Sequence, residues 1–222
     1  MKGNMKKVIA IDGPSGAGKS TIAKLIAKEL GFDYLDTGAL YRAVALVLRE
    51  TGLDEESSDD KLREVLAKTS ITFKNGRVFI NDRDVSDTIR SAEIDHFSSV
   101  FSARKIVRDF LHDTQRKAAL SSNIVVEGRD TTTVLFPDAV RKIFLDASVE
   151  ERAHRRYLQF KEKGIPVNLE DSRKNVIDRD MRDSSRLIAP LKKAPDALFI
   201  DSSNLSIEQV FRKIQEFIRD IS

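Results

Sequence analysis

The chain contains no cysteine. Disulfides, thiolate metal centres and cysteine nucleophiles are therefore excluded, and a reducing, cytoplasmic location is expected. Histidine is scarce too: His96, His112 and His154 lie far apart, without the spacing of a metal site. No apolar run approaches the roughly 18–20 residues of a membrane span, so no membrane partner is expected. The N-terminal MKGNMKK is basic, but VIAI soon meets Asp12 and a glycine loop; no signal peptide is expected, and Met5 is an equally good start. A large excess of one charge is also missing. The formal charge of +3 arises from interspersed acids and bases, which suits phosphate ligands but is little support for a nucleic-acid partner. With no coiled-coil heptads and no obvious apolar patch, a monomer is expected.

What is present is an alternation of strands and helices in 222 residues, the length of one α/β domain with room for a small insertion. KKVIAID (6–12) has the apolar run of a buried strand. Ile22, Leu25, Ile26 and Leu30 then mark a helix that Gly31 ends. FDYLD (32–36) and ALYRAVALVLRE (39–50) repeat the unit, the opening of a parallel sheet. Residues 52–90 break that rhythm. A short helix in SSDDKLREVLAK precedes SITFKNGRVFINDRDVS, which alternates about Asn75-Gly76 as a hairpin does. A helix at about 104–120 returns the chain to the sheet, where NIVVEG (123–128), RKIFLDA (141–147) and ALFID (197–201) add strands. Ser148 with Glu151, and Ser206 with Gln209, are spaced as capping boxes; Leu205 and Val210 are placed as a staple beside the second. A charged helix spans about 169–187.

Between the first strand and helix stands Gly13-Pro14-Ser15-Gly16-Ala17-Gly18-Lys19-Ser20, followed by Thr21. This satisfies G-x-x-x-x-G-K-[ST] in the setting the motif requires. Glycines let backbone N–H groups turn inward around phosphate oxygens, and the helix adds its N-terminal dipole. Lys19 is expected to reach the β and γ phosphates of ATP, and the Ser20 hydroxyl to ligate Mg²⁺. The bland alternative is a glycine-rich turn with a capping serine. Neither an Asn-Lys-x-Asp nor a D-x-x-G switch stands where a GTPase needs it, and the nearest strand ends VVEGRD rather than Asp-Glu. Glu127 there is a candidate for the outer shell of the magnesium. A small-molecule kinase is the better reading.

A kinase that handles two phosphorylated ligands needs cations at strand ends, where open α/β sheets bind substrates. LDTGALYR places Asp36 and Thr37 at one strand end and Arg42 one turn into the next helix; EGRD places Arg129 and Asp130 beyond another. In DRDMRDSSR (178–186), Arg179, Arg182, Asp183 and Arg186 fall on one arc, with Ile177, Met181 and Ile188 opposite. Such an arc suits an anion held by arginine forks; the alternative is the solvated face of an amphipathic helix.

The blocks IDGPSGAGKST, LDTGALYRA, EGRDTTTVLFPDA, KIFLDAS.EERA.RR and RD..R..APL, in this order, resemble bacterial-type cytidylate (CMP) kinases over almost the whole chain. The resemblance implies a P-loop kinase three-layer fold with a central parallel sheet, residues 52–103 as an inserted subdomain for the nucleoside monophosphate, and 150–164 as a short lid. It implies phosphoryl transfer from ATP to CMP or dCMP. Arg42, Arg129 and Arg186 match arginines that hold the acceptor phosphate and the transferring group. Thr37, Ser99, Arg108 and Asp130 match the cytosine-reading set, with Ser98 as the substitute if the alignment slips by one; Arg179 and Asp183 match residues near the sugar. Within the lid, Arg152, Arg155 and Arg156 are candidates to close over the ATP phosphates, against the plainer reading of a charged surface helix. Asp36 and Asp130 are read as positioning groups, since a phosphate monoester with a second pKa of about 6 needs no general base. Rival readings are a kinase for UMP, AMP, a deoxynucleoside or a small metabolite, and a nucleotide-dependent regulatory module.

Overall fold

The computed structural model describes residues 6–162 and 164–221. The basic residues 1–5 and Lys163 of the lid stretch lie outside them. Five parallel strands form the central sheet: β1 (Val8–Asp12), β2 (Asp33–Asp36), β6 (Ile124–Gly128), β7 (Arg141–Asp146) and β8 (Leu198–Asp201), in the order β2-β6-β1-β7-β8. Every residue of β1 and β6 is buried, which is why both read as unbroken apolar runs. Alternate residues of β6 face different cores. Ile124 and Val126 join the apolar cluster under α2 (Thr37–Glu50) and α5 (Lys105–Ser121), while Val125 joins the one under α1 (Lys19–Leu30) and α8 (Ile207–Ile218). Helices thus cover both faces, the three-layer arrangement expected.

Residues 52–103 leave the sheet after α2. They form α3 (Asp59–Leu66), the antiparallel strands β3 (Ile71–Lys74), β4 (Arg77–Ile80) and β5 (Arg83–Asp84), a single 3₁₀ turn at Thr88–Arg90, and α4 (Ala92–Phe101). The hairpin turns where expected, with φ of 53° at Asn75 and 75° at Gly76. Two elements were not anticipated: β5, too short for a periodic signal, and α4, whose Ile94, Phe97 and Phe101 do recur at helical spacing. Leu62, Ile71, Val78, Ile80 and Ile94 pack into the same cluster as Leu40, Val44 and Leu48 of α2. The insertion is therefore joined to the sheet layer by a continuous apolar core.

The remaining helices are α6 (Val149–Glu162) and α7 (Leu169–Ser185). The Ser206–Gln209 box is complete, whereas at α6 only Ser148 caps, accepting from Glu151 N–H at 3.2 Å. The Glu151 carboxylate turns instead to Arg155 at 2.8 Å, and the Ser148 N–H donates to Ser203 Oγ at 2.7 Å. Among the described residues no helix is long and apolar enough to cross a membrane.

One buried side chain ties the strand ends together. Asp12, at the end of β1 and without solvent exposure, accepts hydrogen bonds from N–H and Oγ1 of Thr131 at 2.9 and 2.7 Å. It also accepts from N–H and Oγ1 of Thr132 at 2.7 and 2.6 Å. These residues open the turn at Thr131–Leu135 that follows Arg129 and Asp130. Beside it Gly13, at φ +150°, lies so close to β7 that a Cβ would sit 1.9 Å from the Leu145 carbonyl oxygen, a place no other residue can take. Asp12→Ala should strand two buried N–H groups and lower the unfolding free energy by about 3 kcal/mol. Urea denaturation at neutral pH checks this; a loss below about 1 kcal/mol would mean the clamp is dispensable.

Candidate functional site

All five sheet strands point the same way, so the loop after β1, the start of α2 and the turn after β6 meet at one edge. The strand order reverses direction at β1, which places the phosphate loop at the switch point where open sheets bind ligands. A cleft of about 870 Å³ opens there. Its lining includes Ser15, Gly16, Gly18, Lys19, Ser20 and Thr21 of the loop, Asp36, Thr37 and Arg42, then Arg129, Asp130, Arg179, Asp183 and Arg186. Six cations and four carboxylates line it. Elements far apart in sequence therefore bring many of the predicted residues to one place, whereas Ser99, Arg108 and Arg155 are not part of this lining.

Lys19 is buried, and its Nζ donates to the Pro14 carbonyl at 2.7 Å. The loop thus satisfies its own lysine. Burial, with the charges of Arg129 and Arg179, pushes the Lys19 ammonium down to about 7 against the pull of Glu127 and Asp12. Burial and the neighbouring Asp36 push Glu127 upward, with Lys19 opposing. Tyr34 donates its hydroxyl to Glu127 at 2.5 Å. Ser20 is exposed at the mouth of the loop. Its hydroxyl, with the Glu127 and Asp36 carboxylates that line the same cleft, is a hard-oxygen set suited to magnesium shared with phosphates and water rather than caged by protein alone. In accord, no cluster of three or more ligating side chains occurs among the described residues.

The arginines are held by buried carboxylates. Arg129 Nε donates to Asp183 at 3.0 Å; Arg186 reaches Asp130 at 3.3 Å and Asp183 at 3.9 Å. Arg42 donates to Asp95 at 2.7 Å and lies 3.9 Å from Asp36, which itself caps α2 by accepting from Ala39 N–H at 2.9 Å. Burial works to raise Asp183 and Asp95, yet the surrounding guanidinium groups outweigh it and hold both below the usual carboxylate range. Arg179 is the least satisfied. Its nearest carboxylates are 3.7 Å (Asp95) and 3.9 Å (Asp183) away, and its Nε has no hydrogen-bond partner among the described residues. Burial, then the Arg129 charge, lower Arg179 to about 10.

This geometry settles how α7 sits. Asp183 is buried and Arg179 and Arg186 are largely so, while Met181 is 64% and Leu187 fully exposed. The charged arc faces inward and the apolar side faces water, so the solvated-face alternative fails for these residues.

The other predicted residues fall as follows. Arg108 is ion-paired with Asp130, donates to the Ser102 carbonyl at 3.1 Å and stands 5.5 Å from the centre of the Tyr41 ring. Burial pushes Asp130 upward despite Arg108 and Arg186. Thr37 Oγ1 donates to the Glu127 carbonyl at 2.7 Å. Ser99 accepts from Arg182 at 3.1 Å and does not line the cleft, whereas Ser98 and Ser102 do. Tyr41 and Ser102 were missed; Tyr41 was legible one helical turn from Thr37 and Gly38, whereas Ser102 had no signal.

A second cavity, of about 970 Å³, adjoins the phosphate loop between α6 and the loop that precedes α8. Gly16, Ala17, Ile22, Leu145, Arg155, Leu158 and Val210 are among the residues that line it. Arg155 donates to Ser202 Oγ at 3.0 Å and to the Ser202 carbonyl at 2.8 Å. Arg152 is buried, donating to the Ala147 and Ser15 carbonyls at 2.9 and 3.2 Å and paired with Asp180. Arg156 pairs with Asp95. None of the three is a free surface arginine.

The sequence model of the family described as cytidylate kinase matches residues 9–220. A cytidylate kinase of Thermodesulfovibrio yellowstonii is 51% identical over 210 residues, covering 93% of this chain and 95% of that protein. Another, of Thermosipho melanesiensis, is 48% identical over 212 residues, with 96% of each covered. Among solved structures, an uncharacterized protein of Eubacterium ventriosum aligns over 96% of this chain and 99% of its own, with a TM-score of 0.54 at 13% identity, a likeness of fold alone.

The depressed lysine yields a proton-linkage test. Between about 7 and the ordinary 10.5 the unfolded chain holds the Lys19 proton and the folded chain does not, so this group's contribution to stability rises with pH through that window. A bound polyphosphate restores the charge. Binding of ATP with Mg²⁺ at pH 8 should therefore take up about one proton, falling toward none at pH 6. Calorimetry in buffers of different ionisation enthalpy reads this directly. Glu127→Gln, which removes the neighbouring titration, should keep the uptake; its absence in both proteins would show that Lys19 is charged before the nucleotide arrives.

Proposed function

The chain belongs to the cytidylate kinase family, and from that premise we propose how its cleft carries out the transfer of a phosphoryl group from ATP to CMP or dCMP. The enzyme is an ATP-dependent nucleoside monophosphate kinase. One observation carries the assignment of residues: Arg42, Arg129, Arg179 and Arg186, from α2, the end of β6 and α7, converge with Lys19 in a single cleft.

The donor triphosphate lies along Gly13–Thr21, whose backbone N–H groups and Lys19 hold the β and γ phosphates. Its base enters the cavity between α6 and the loop before α8, which Arg155 helps to line. Ser20 Oγ, with Glu127 nearby, would hold magnesium together with the phosphates, and the ion would supply neutralisation of the charge that develops on transfer. Arg42, Arg129 and Arg186 take the acceptor phosphate and the transferring group. Arg179, which the resemblance put near the sugar, is assigned to join them because its incompletely partnered guanidinium lines the same cleft. Transfer is in-line, shielded from water by the lid. The acceptor phosphate, with a second pKa of about 6, is already ionised at neutral pH. No side chain need act as a base.

Cytosine offers an N4 donor beside the N3 and O2 acceptors. Asp130 accepts from N4, and Arg108 with a hydroxyl from Thr37, Ser98, Ser99 or Ser102 donates to N3 and O2. Of these, Ser98 and Ser102 face the cleft, their hydroxyls now donating to the Asp95 and Ser99 carbonyls, whereas Ser99 accepts from Arg182 and lies outside the lining; position in the lining favours the first two. Uracil would set a carbonyl against the Asp130 carboxylate. A site built on fixed polar partners rejects the mismatched base by about 10⁴-fold when those partners are left unpaired.

A coupled assay of ADP formation with CMP, dCMP, UMP, AMP and GMP tests the reading. CMP and dCMP should turn over and UMP lag far behind. Asp130→Asn should cut kcat/KM for CMP about a hundredfold while costing UMP much less, narrowing the ratio. An unchanged ratio would remove Asp130 from base recognition.

A further inference from the structure

Asp95 sits on α4, in the insertion, and belongs to none of the motifs that mark the cleft. Like Asp183 it is engaged by three arginines, but it stands beside the cleft rather than in its lining. Arg42 of α2 donates to it at 2.7 Å, Arg179 of α7 lies 3.7 Å away, and Arg156 of α6 is paired with its other oxygen. Its side chain is only 14% exposed. Two of those three arginines are the ones assigned above to the acceptor phosphate; the third comes from the lid. An anion with two oxygens, gripped by arginines from three elements, has the geometry of a bound phosphate. Asp95 and Arg156 border one open pocket toward His96 and Asn175 and a smaller one toward Arg90. The Arg156 guanidinium rests over the Phe160 ring at 4.6 Å and also borders the cleft of the phosphate loop.

We propose that Asp95 is a positioning residue that stands in for the acceptor's phosphate while the site is empty. CMP then binds by displacing a carboxylate from Arg42 and Arg179, and the displacement releases Arg156 from the insertion toward the donor side. The inference rests on the assignment of Arg42 and Arg179 to the acceptor phosphate. It adds what that assignment lacks, a link through which an occupied acceptor site is felt by the lid. The link is electrostatic: a second anion among these arginines repels the first, and the weaker-held carboxylate gives way.

The measurement is the ratio of Kd for cytidine to Kd for CMP, which isolates what the phosphate contributes. In Asp95→Asn the competing charge is gone, so the ratio should grow about tenfold while cytidine affinity stays within about twofold. Asp95→Glu, which keeps the charge, should remain near the original ratio. A purely structural Asp95 would weaken both ligands together in Asp95→Asn and leave the ratio unchanged, and that result overturns the proposal. If the unaltered enzyme itself binds CMP no better than cytidine, the acceptor-phosphate reading falls and this inference with it. A normal ratio there with no change in Asp95→Asn sinks the inference alone. Should Asp95→Asn not fold, the unaltered enzyme still decides. The Arg156 Nε–Hε resonance, assigned by its loss in Arg156→Lys, should shift on saturation with CMP and hold still with cytidine; no shift with CMP overturns the displacement.

Discussion

Positive charge confined in a cleft with little water is the constraint on which this structure turns. Transfer between two phosphorylated ligands needs cations from several directions, yet those cations must survive when no ligand is there. A buried guanidinium without an anion costs several kcal/mol. The chain answers with carboxylates interleaved among the arginines: Asp183 between Arg129, Arg179 and Arg186, Asp130 between Arg108 and Arg186, and Asp95 among Arg42, Arg156 and Arg179. The same demand explains the inward charged face of α7, which an apolar stripe would otherwise occupy. It also explains the neutral tendency of Lys19, the one cation of the loop that finds a carbonyl rather than a carboxylate as its direct partner.

Holding like charges close together requires stiffness, and the sheet provides it. The parallel strands end at one edge, so the turns that carry the functional groups are short extensions of buried β-structure. Asp12 fastens the turn after β6 to the end of β1 through four hydrogen bonds. Arg129 and Asp130 thereby inherit the rigidity of the two central strands, a supporting shell of the kind that keeps catalytic groups in register. On the other flank, the insertion shares the apolar core of α2. Its contacts with α6, by contrast, are ionic and bordered by cavities. Packed apolar surfaces resist displacement, whereas an ionic contact can trade one anion for another, so the contact with α6 is the one more open to exchange.

Much of this was legible in the sequence because it is local. The loop Gly13–Ser20 is a contiguous motif, β1 and β6 are apolar runs, and Asn75-Gly76 is a turn signal that needs no tertiary context. Arg42, Arg129 and Arg186 could be placed because each follows a strand end or shares a helix arc. What was not legible depends on pairing across the chain. Glu151 fits a capping box by spacing but is drawn away by Arg155. The choice between Ser98 and Ser99 depends on the rotation of α4, which turns Ser98 into the cleft lining and Ser99 toward Arg182. Asp95 had no signature at all, since its role comes from three arginines at positions 42, 156 and 179. Whether the arc of α7 faced solvent or the cleft was likewise undecidable until the acids that receive it were in place.

The pre-paired arginines bear on catalysis as well as stability. If each guanidinium waited bare, a phosphate entering the cleft would gain the full attraction of unscreened charges and be held too tightly to turn over. Here a phosphate largely exchanges one anion for another, so the net gain in the ground state is modest. In the proposed mechanism, charge that develops only during transfer falls on groups already oriented: Lys19, Arg129, which Asp183 holds, and the incompletely partnered Arg179. Interactions stronger in the transition state than in either bound state are the ones that raise kcat. An arginine cluster tempered by buried acids meets that condition better than a more positive one would, because the acids reduce ground-state binding while leaving the preorganised donors in place.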